Sequence, residues 1–564
     1  MEAKSVERVV RTAEALLNKA EVERSKWMPL VELVMPEIAS GSMMEKGENG
    51  YETKPLCDEA RIDVMKLAGA RMSYIFPVGQ PFFRYAPWGK YESDGDDAMD
   101  ADDWFARVSD IAYAEYERSN FQTAMNEVQW DSICTGTGAM LVEYDDRMDT
   151  LQFLHIPAGT YAIAEDASHN VTTVVRKFKY TAWQIADEFG EENMTPSQRA
   201  AFDDPSKVMT HEFEILHVVM PRKESLRWYN NVDAALRPWM SLYVDRESKK
   251  VLFEGGYYEF PYMVTRYYRI GNSAYGTGPV QLAGKTILRH LIAEDCQEMT
   301  AQRSAFPPIV APAEMIDGLD LRPGAINPIE DRYQNMDLPR AFSAPVNYQA
   351  GMEWLASLTA RIQRALHIDM LQIFEGTDRY MSATEVNARE NEKIFGFLPS
   401  FTQMQADARS MVTRVFALLL RAGKFPMDDM PDGVVMQEEN EDGTPREYVV
   451  TPKAVYVGKM AQGLERVQGT SADDFVGRQM QIGVQLQEPG LTNIFDWEKY
   501  SYGQARKHNV PAAYLKKPRQ YRAEIQAMND AIMQQQNMAA AANAADANLK
   551  NASADNQRMQ YQSR

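Results

Sequence analysis

Gly278-Pro-Val-Gln-Leu-Ala-Gly284-Lys285-Thr286 comes nearest in this 564-residue chain to a phosphate-binding loop. Such a loop needs four residues between its first glycine and Gly-Lys-Thr, so that successive backbone N–H groups wrap the phosphates before a helix begins. Here five residues intervene, and Pro279 stands where the first glycine should be. Gly284-Lys285-Thr286 also falls inside an apolar pattern of helical period, where those N–H groups are already bonded. Lys285 therefore reads as a surface or subunit-contact lysine.

Other chemical motifs fail on spacing. His211-Glu212-Phe-Glu-Ile-Leu-His217 has the types of a zinc-protease helix, but that motif needs its second histidine at i+4. Position 215 is Ile, and the alternation Phe213, Ile215, His217 suits a strand. Gly136-Thr-Gly138 lacks the third glycine of a dinucleotide fingerprint. From Asp94, an EF-hand register would need Asp or Asn at 98 and Gly at 99, which are Ala98 and Met99. No Gly-x-Ser-x-Gly elbow occurs. Basic residues gather weakly at Arg176, Lys177 and Lys179, and at Lys516, Lys517, Arg519 and Arg522, as expected of solvated faces. No catalytic residue, metal ligand or cofactor is assigned, and the expectation is a non-enzyme.

Composition sets the frame for these negatives. There are 60 Lys and Arg against 80 Asp and Glu, a formal net charge of −20. Tight duplex-DNA binding needs a basic face to neutralise phosphates, so the surface as a whole is not a DNA grip. The apolar fraction of 45% supports a buried core and excludes wholesale disorder. At roughly 150 residues per domain the length suggests about three or four domains. The longest strongly apolar run near a helix, Val415 to Leu420, is far short of the roughly 20 residues that cross a bilayer. Met1-Glu-Ala-Lys4 leads into an amphipathic pattern and not a signal peptide. Three widely spaced cysteines, Cys57, Cys134 and Cys296, imply no disulfide frame and fit a reducing compartment.

The elements follow from periodicity. Residues 4–35 read as a long helix interrupted at Pro29. Residues 92–103 hold seven acids and no base, a solvated loop before a helix at 103–118. Strands are expected at 139–144, 151–156, 170–178, 213–220, 239–244 and 251–254, with a short helix opening at Thr181. A helix runs over 279–304, about 39 Å at 1.5 Å per residue. Its apolar positions are Val280, Ile287, Leu288, Leu291, Ile292 and Met299. A Pro- and Gly-rich segment and a second long helix follow. That helix carries Met352, Leu355, Leu358, Ile362, Ala365 and Leu366 on one face. A third runs from Ser382 or Thr384 to Leu420, with Pro399 expected to kink or interrupt it. Residues 433–451 read as a hairpin. In residues 531–564, Ala, Gln and Asn make up 21 of 34, a tail expected to be disordered or helical only against copies of itself.

That order of parts resembles the portal, or head-to-tail connector, proteins of tailed bacteriophages, particularly short-tailed ones. The words that carry the resemblance are Cys134-Thr-Gly-Thr-Gly-Ala-Met-Leu-Val-Glu143, Phe178-Lys-Tyr-Thr-Ala-Trp-Gln-Ile185 and Asn272-Ser-Ala-Tyr-Gly-Thr-Gly-Pro279. Phe306-Pro-Pro-Ile-Val-Ala-Pro312 and Met381-Ser-Ala-Thr-Glu-Val386 complete the set. The resemblance spans roughly residues 1–530.

It implies a mixed α+β fold, an elongated portal-type protomer. An N-terminal helix and strand-rich wing would occupy 1–270, and stem helix one 271–304. The clip would be 305–350, with Phe306, Pro307, Pro308 and Ile309. Stem helix two would be 351–372. Residues 373–382 would be a channel loop, with Glu375, Gly376, Thr377, Asp378, Arg379 and Tyr380 facing DNA. The long kinked helix and hairpin at 383–470 would complete the wing. A helical crown would fill 471–530, and the 531–564 tail would be barrel or disordered. Lys285, Arg289, Glu294, Asp295, Glu298 and Arg303 would make subunit contacts along the stem.

The resemblance further implies a dodecameric ring at one capsid vertex, a conduit for packaging and ejecting double-stranded DNA. Partners would be major capsid and scaffolding proteins, terminase and a tail adaptor, with no membrane. The protein would reside in the virion after assembly in the host cytoplasm. A packaging-type P-loop ATPase, motivated by Gly284-Lys285-Thr286, is the alternative, and a metal hydrolase a weaker third.

Overall fold

Val6, Val10, Ala13, Leu17 and Ala20 recur every three or four residues and form one buried stripe on the first helix, α1 (Ala3–Arg24). A computed structural model describes residues 3–39, 44–47, 50–53, 55–87, 96–222, 234–305, 309–310, 340–341, 348–371, 383–428, 430–431, 434–439, 445–449, 451–457, 475–481, 497–507, 514, 516 and 518–562. The break after α1 falls at Ser25–Trp27 rather than at Pro29. Pro29 instead occupies the first turn of α2 (Met28–Glu32), where a missing N–H leaves no bond unmade. Short α3 (Pro36–Ala39), the hairpin β1–β2 (Met44–Gly47, Gly50–Thr53) and α4 (Asp58–Ile75) follow.

The chain divides into two units, against the three or four domains suggested by length. The first holds residues 1–82, 111–424 and 458–467. After α6 (Phe121–Thr135) its strands are β4 (Thr137–Asp145), β5 (Thr150–Ile156), β6 (Tyr161–Glu165), β7 (Val171–Thr181), β8 (Glu212–Pro221), β9 (Trp239–Asp245), β10 (Val251–Tyr257) and β11 (Tyr262–Arg266). Two antiparallel sheets result, of order β10-β9-β8-β7-β6 and β11-β4-β5.

The larger sheet is covered on both faces. Residues of one parity, Leu216 and Val218 on β8 among them, pack under the α1 stripe. Val219 and Val174 face Leu141, Tyr262 and Val264 of the smaller sheet. Phe213 and Ile215 face α7 (Ala182–Phe189) and α8 (Pro196–Phe202). Both short helices open with a complete capping box, Thr181 with Gln184 and Thr195 with Gln198.

Three long helices complete this unit. They are α9 (Pro279–Ala305), α10 (Tyr348–Ala365) and α12 (Ala383–Arg421). The second does not continue to 372. His367 adopts a left-handed φ of 58°, and short α11 (Ile368–Leu371) follows it. His367 Nε2 lies 3.0 Å from the Tyr268 hydroxyl, which holds the corner. Pro399 does not interrupt α12, and Gly423 (φ 69°) stops the chain after it.

The second unit holds residues 83–110, 425–457 and 468–564. Strand β3 (Phe83–Ala86) pairs with β16 (Lys453–Tyr456), and β14 (Val435–Glu439) with β15 (Pro445–Val449). The hairpin agrees with expectation, while its turn at 441–443 lies outside the described residues. Helix α5 begins at Asp96, earlier than position 103. Asp96 and Asp97 lie in its first turn, where the helix dipole favours carboxylates. Inside this unit Trp104 donates to the Pro426 carbonyl at 3.0 Å. Helices 475–481 (α13), α14 (Trp497–Lys507) and α15 (Pro518–Gln562) close the chain. The Ala/Gln/Asn-rich tail is thus helical, as its good helix formers permit.

His217 sits fully buried on β8, between the sheets. Its ring nitrogens lie 2.9 Å from Ser241 Oγ and 2.8 Å from the Tyr262 hydroxyl, and the ring stacks on Tyr243 at 3.9 Å. Burial, reinforced by the Arg176 charge, holds its pKa well below the ordinary value. The unfolded chain therefore binds a proton near pH 6.5 that the native chain refuses, and this group weakens the fold as pH falls through that value. Replacing His217 by Gln should flatten the pH dependence of stability between pH 7 and pH 5. Urea unfolding of the two proteins across that range measures it. Equal slopes would refute the assignment.

Candidate functional site

The long helix α9 is launched from a crossing of two Gly-Thr-Gly words. Gly136-Thr-Gly138 and Gly276-Thr-Gly278 pass so closely that a Cβ at Gly136 would overlap the Gly276 carbonyl, and one at Gly276 the Gly136 carbonyl. Gly136 is also left-handed (φ 83°) and caps α6, so it needs glycine twice over. A Cβ at Gly138 would come within 2.6 Å of Val128 O. Polar groups fix the register. The Gly276 amide donates to Thr137 Oγ1 at 2.8 Å, and Tyr267 N donates to Gly136 O at 3.0 Å. Gln281, in the first turn of α9, accepts from the Gly278 amide and donates to Thr135 O, both at 3.0 Å. The start of α9 is thereby tied to the end of α6 and the start of β4.

One stripe of α9 is buried: Val280, Ala283, Gly284, Ile287, His290 and Ala293. It packs against α10, where Leu358 and Ile362 turn inward. The function of Gly284 becomes plain here. A Cβ at this position would come within 2.7 Å of Leu30 Cδ2, so the glycine lets α2 approach α9. Gly284-Lys285-Thr286 is helix–helix packing and not a phosphate cradle. Among the described residues, one group of metal-ligand types converges, Cys57, Glu59 and His290 at the middle of α9.

The opposite face of α9 is open. Lys285, Arg289 and Arg303 are exposed on it; Glu294, Asp295 and Glu298 are exposed too, but Glu294 and Glu298 lie on the side of the buried stripe. Among the described residues no ion pair joins any two of these six; Glu294 instead approaches His290, and Glu298 accepts from Gln302. Large apolar side chains share that surface: Leu282 is 54% exposed, Ile292 58% and Met299 49%. The single apolar pattern expected for this helix is therefore two faces, Val280 and Ile287 inside, Leu288, Ile292 and Met299 outside. Leu282, Lys285, Arg289, Ile292, Cys296, Met299 and Arg303 follow steps of three and four, the spacing of a seam between helices. Of these, Leu282 and Cys296 have no place in the helix pattern read from the sequence, and Ile292 and Met299 were expected on one apolar face with Val280 and Ile287. On α10, Met352 faces out with Tyr348 and Trp354, not in with Leu358.

The remaining expected residues do not assemble into a described site. Ile309 lies on β12 (Ile309–Val310), paired with β13 (Arg340–Ala341). Phe306, Pro307 and Pro308 lie outside the described residues, as do Glu375, Gly376, Thr377, Asp378, Arg379 and Tyr380. His211 is exposed and edges onto Phe213, while His217 belongs to the core, so the two share no metal geometry. No helix among the described residues is long and apolar enough to cross a membrane.

The family model described as bacteriophage head to tail connecting protein matches residues 7–515, and the chain belongs to that family. Among curated relatives, a probable portal protein of Bordetella phage BPP-1 is 23% identical over 495 residues, 86% of this chain and 84% of that one. The portal protein of Salmonella phage epsilon15 is 23% identical over 484 residues, 84% and 82% of the two chains. Among solved structures, a chain from the neck of an empty gene transfer agent particle is 12% identical. It covers 72% of this chain and 83% of its own, with a TM-score of 0.35, too low to equate the folds.

The glycine crossing predicts an asymmetry. Gly278→Ala drives a Cβ onto the Ile133 carbonyl oxygen and should cost about 3 kcal/mol. Gly69→Ala, in the exposed middle of α4 with nothing within 4 Å, should add about 1 kcal/mol through helix propensity. Opposite shifts in the chemical unfolding midpoint are expected. Equal effects would show that the crossing is loose.

Proposed function

We propose that this chain is the structural portal of a tailed phage, a non-enzymatic ring that connects head to tail. The family match over residues 7–515 carries the reading. In it, twelve copies close by rotation, each presenting one patch to a different patch on its neighbour. The exposed seam of α9 supplies such a patch, with apolar side chains for area and the bases Lys285, Arg289 and Arg303 for register against a neighbour's carboxylates. Helices α9 and α10 are the stem, 305–350 the clip and 373–382 the channel loop. The strand-rich part and α12 form the wing, and the C-terminal helices the crown and barrel.

Charge fits the task. At −20 per chain, the ring repels the phosphate backbone in general and lets DNA pass without being held. Arg379, or its pairing to Asp378 or Glu375 of a neighbouring loop, is the local exception. Terminase meets the clip during packaging and a tail adaptor replaces it later. Capsid and scaffolding proteins surround the wing, and assembly takes place in the host cytoplasm before the ring becomes part of the virion. The ATPase alternative loses its motive, because Gly284 packs on Leu30.

Negative-stain microscopy of the purified chain should show rings with a central hole. Ile292→Glu, on the open face of α9, should abolish most rings while leaving the circular dichroism of the protomer unchanged. Absence of rings in the parent protein, with ATP hydrolysis lost in Lys285→Ala, would overturn the reading. Deleting Gly376 to Arg379 should preserve the ring and impair DNA packaging or retention. Loss of the ring itself would place the channel elsewhere.

A further inference from the structure

Cys57 and His290 lie 233 positions apart in sequence, and both are fully buried. Cys57 directly precedes α4, and His290 is at the middle of α9. The thiol Sγ is 3.8 Å from His290 Nδ1. Glu59, in the first turn of α4, and Glu294, one turn further along α9, bring carboxylates to the same imidazole. Glu294 Oε2 lies 3.8 Å from Nδ1, and Glu59 Oε2 lies 3.9 Å from Nε2. Donor atoms of Cys57, Glu59 and His290 all fall within 4.8 Å of one another.

We propose that Cys57, His290 and Glu59, with Glu294 as fourth donor, bind a zinc-type divalent ion that clamps α4 to α9. Three observations support it besides proximity. The first is distance. Tetrahedral zinc with bonds of about 2.3 Å to sulfur and 2.0–2.1 Å to nitrogen separates those ligands by about 3.6 Å, so sulfur and nitrogen need shift only a few tenths of an ångström, while the Glu59 carboxylate, now nearest Nε2, must swing toward Nδ1. The second is ring orientation. His290 Nε2 lies 3.1 Å from Thr359 Oγ1 on α10. A metal-bound imidazole characteristically donates its other N–H to such an oxygen, which leaves Nδ1 for the ion. The third is an orphan atom. Glu59 Oε2 is buried with no hydrogen-bond partner, an expensive state for a carboxylate that a cation relieves.

Chemistry selects the ion. Thiolate and imidazole favour zinc over calcium or magnesium, which prefer all-oxygen sites. Binding replaces the Cys57 S–H proton by the metal and releases that proton to solvent, with no change of oxidation state. The clamp joins α4 to α9 directly and reaches α10 through Thr359. It holds the helix pair at mid-length, beyond the glycine crossing. None of this rests on the portal reading.

The test uses the full-length protein. After equilibration with zinc and exhaustive dialysis, elemental analysis should find stoichiometric zinc per chain. Cobalt(II) in its place should give a thiolate-to-metal charge-transfer band and tetrahedral visible bands. Cys57→Ser should remove the charge-transfer band, and Cys296→Ser should not. Glu59→Gln, at a half-exposed side chain that the fold does not need, should weaken apparent zinc affinity at least tenfold. No retained zinc, a band lost with Cys296 instead of Cys57, or unchanged affinity in Glu59→Gln would each overturn the proposal. The last keeps it open to refutation should Cys57→Ser fail to fold.

Discussion

There is no room for a Cβ at Gly136 or Gly276 where residues 136–138 pass residues 276–278. The contact is backbone on backbone, so its geometry is set by hard carbonyl and amide atoms and not by rotamers that could adjust. The end of α6, the start of β4 and the start of α9 are fixed against one another there. From that point α9 leaves in a single direction for 27 residues. A side-chain anchor would allow several degrees of play, which a helix about 40 Å long converts into several ångströms at its far end. The precision of everything beyond the crossing depends on four atoms of hydrogen, at Gly136, Gly138, Gly276 and Gly278, taking the place of four methyl groups.

Much of this architecture was legible before any coordinates. Strand positions followed from alternation and β-branched residues, and the α7 cap from Thr181 followed three residues later by Gln184. What was misread has local physical causes. Pro29 looks like an interruption, yet the first turn of a helix tolerates proline, and the break moved upstream. The corner at His367 was invisible because a left-handed histidine has no sequence signature of its own; the Tyr268 hydroxyl that secures it is 99 residues away. Strand β6 is hard to read because Tyr161-Ala-Ile-Ala-Glu165 is short and carries no β-branched run, although Pro157-Ala-Gly159 and Asp166-Ala-Ser168 flank it as turns. Helix α9 was the most instructive error. Apolar residues on two opposite faces were counted as one, because the usual expectation is that a protein buries them all by itself.

That expectation fails when the folding unit is not the functional unit. Leu282, Ile292 and Met299 remain in water in the protomer at a cost of about 25 cal/mol for each Å² of apolar surface left uncovered. Sequence periodicity locates a helix, but only the three-dimensional neighbourhood tells which of its faces is finished. The candidate site was correspondingly half visible: its charged residues were identified from the sequence, while the apolar side chains between them became distinguishable only once α10 occupied the other side.

The seam on α9 has a period of 3.5 residues, slightly shorter than the 3.6 of the helix that carries it. Between Leu282 and Arg303 it spans three heptads, and at about 20° of drift per heptad it winds roughly 60° around the helix axis. A neighbour that keeps contact along the whole seam cannot stand upright beside α9; it must lean, and always with the same hand. A closed circle of such helices is a slanted palisade, like the staves of a twisted basket. In the proposed ring, compression along the axis would turn one rim relative to the other, and axial load and rotation would be coupled by the placement of seven side chains.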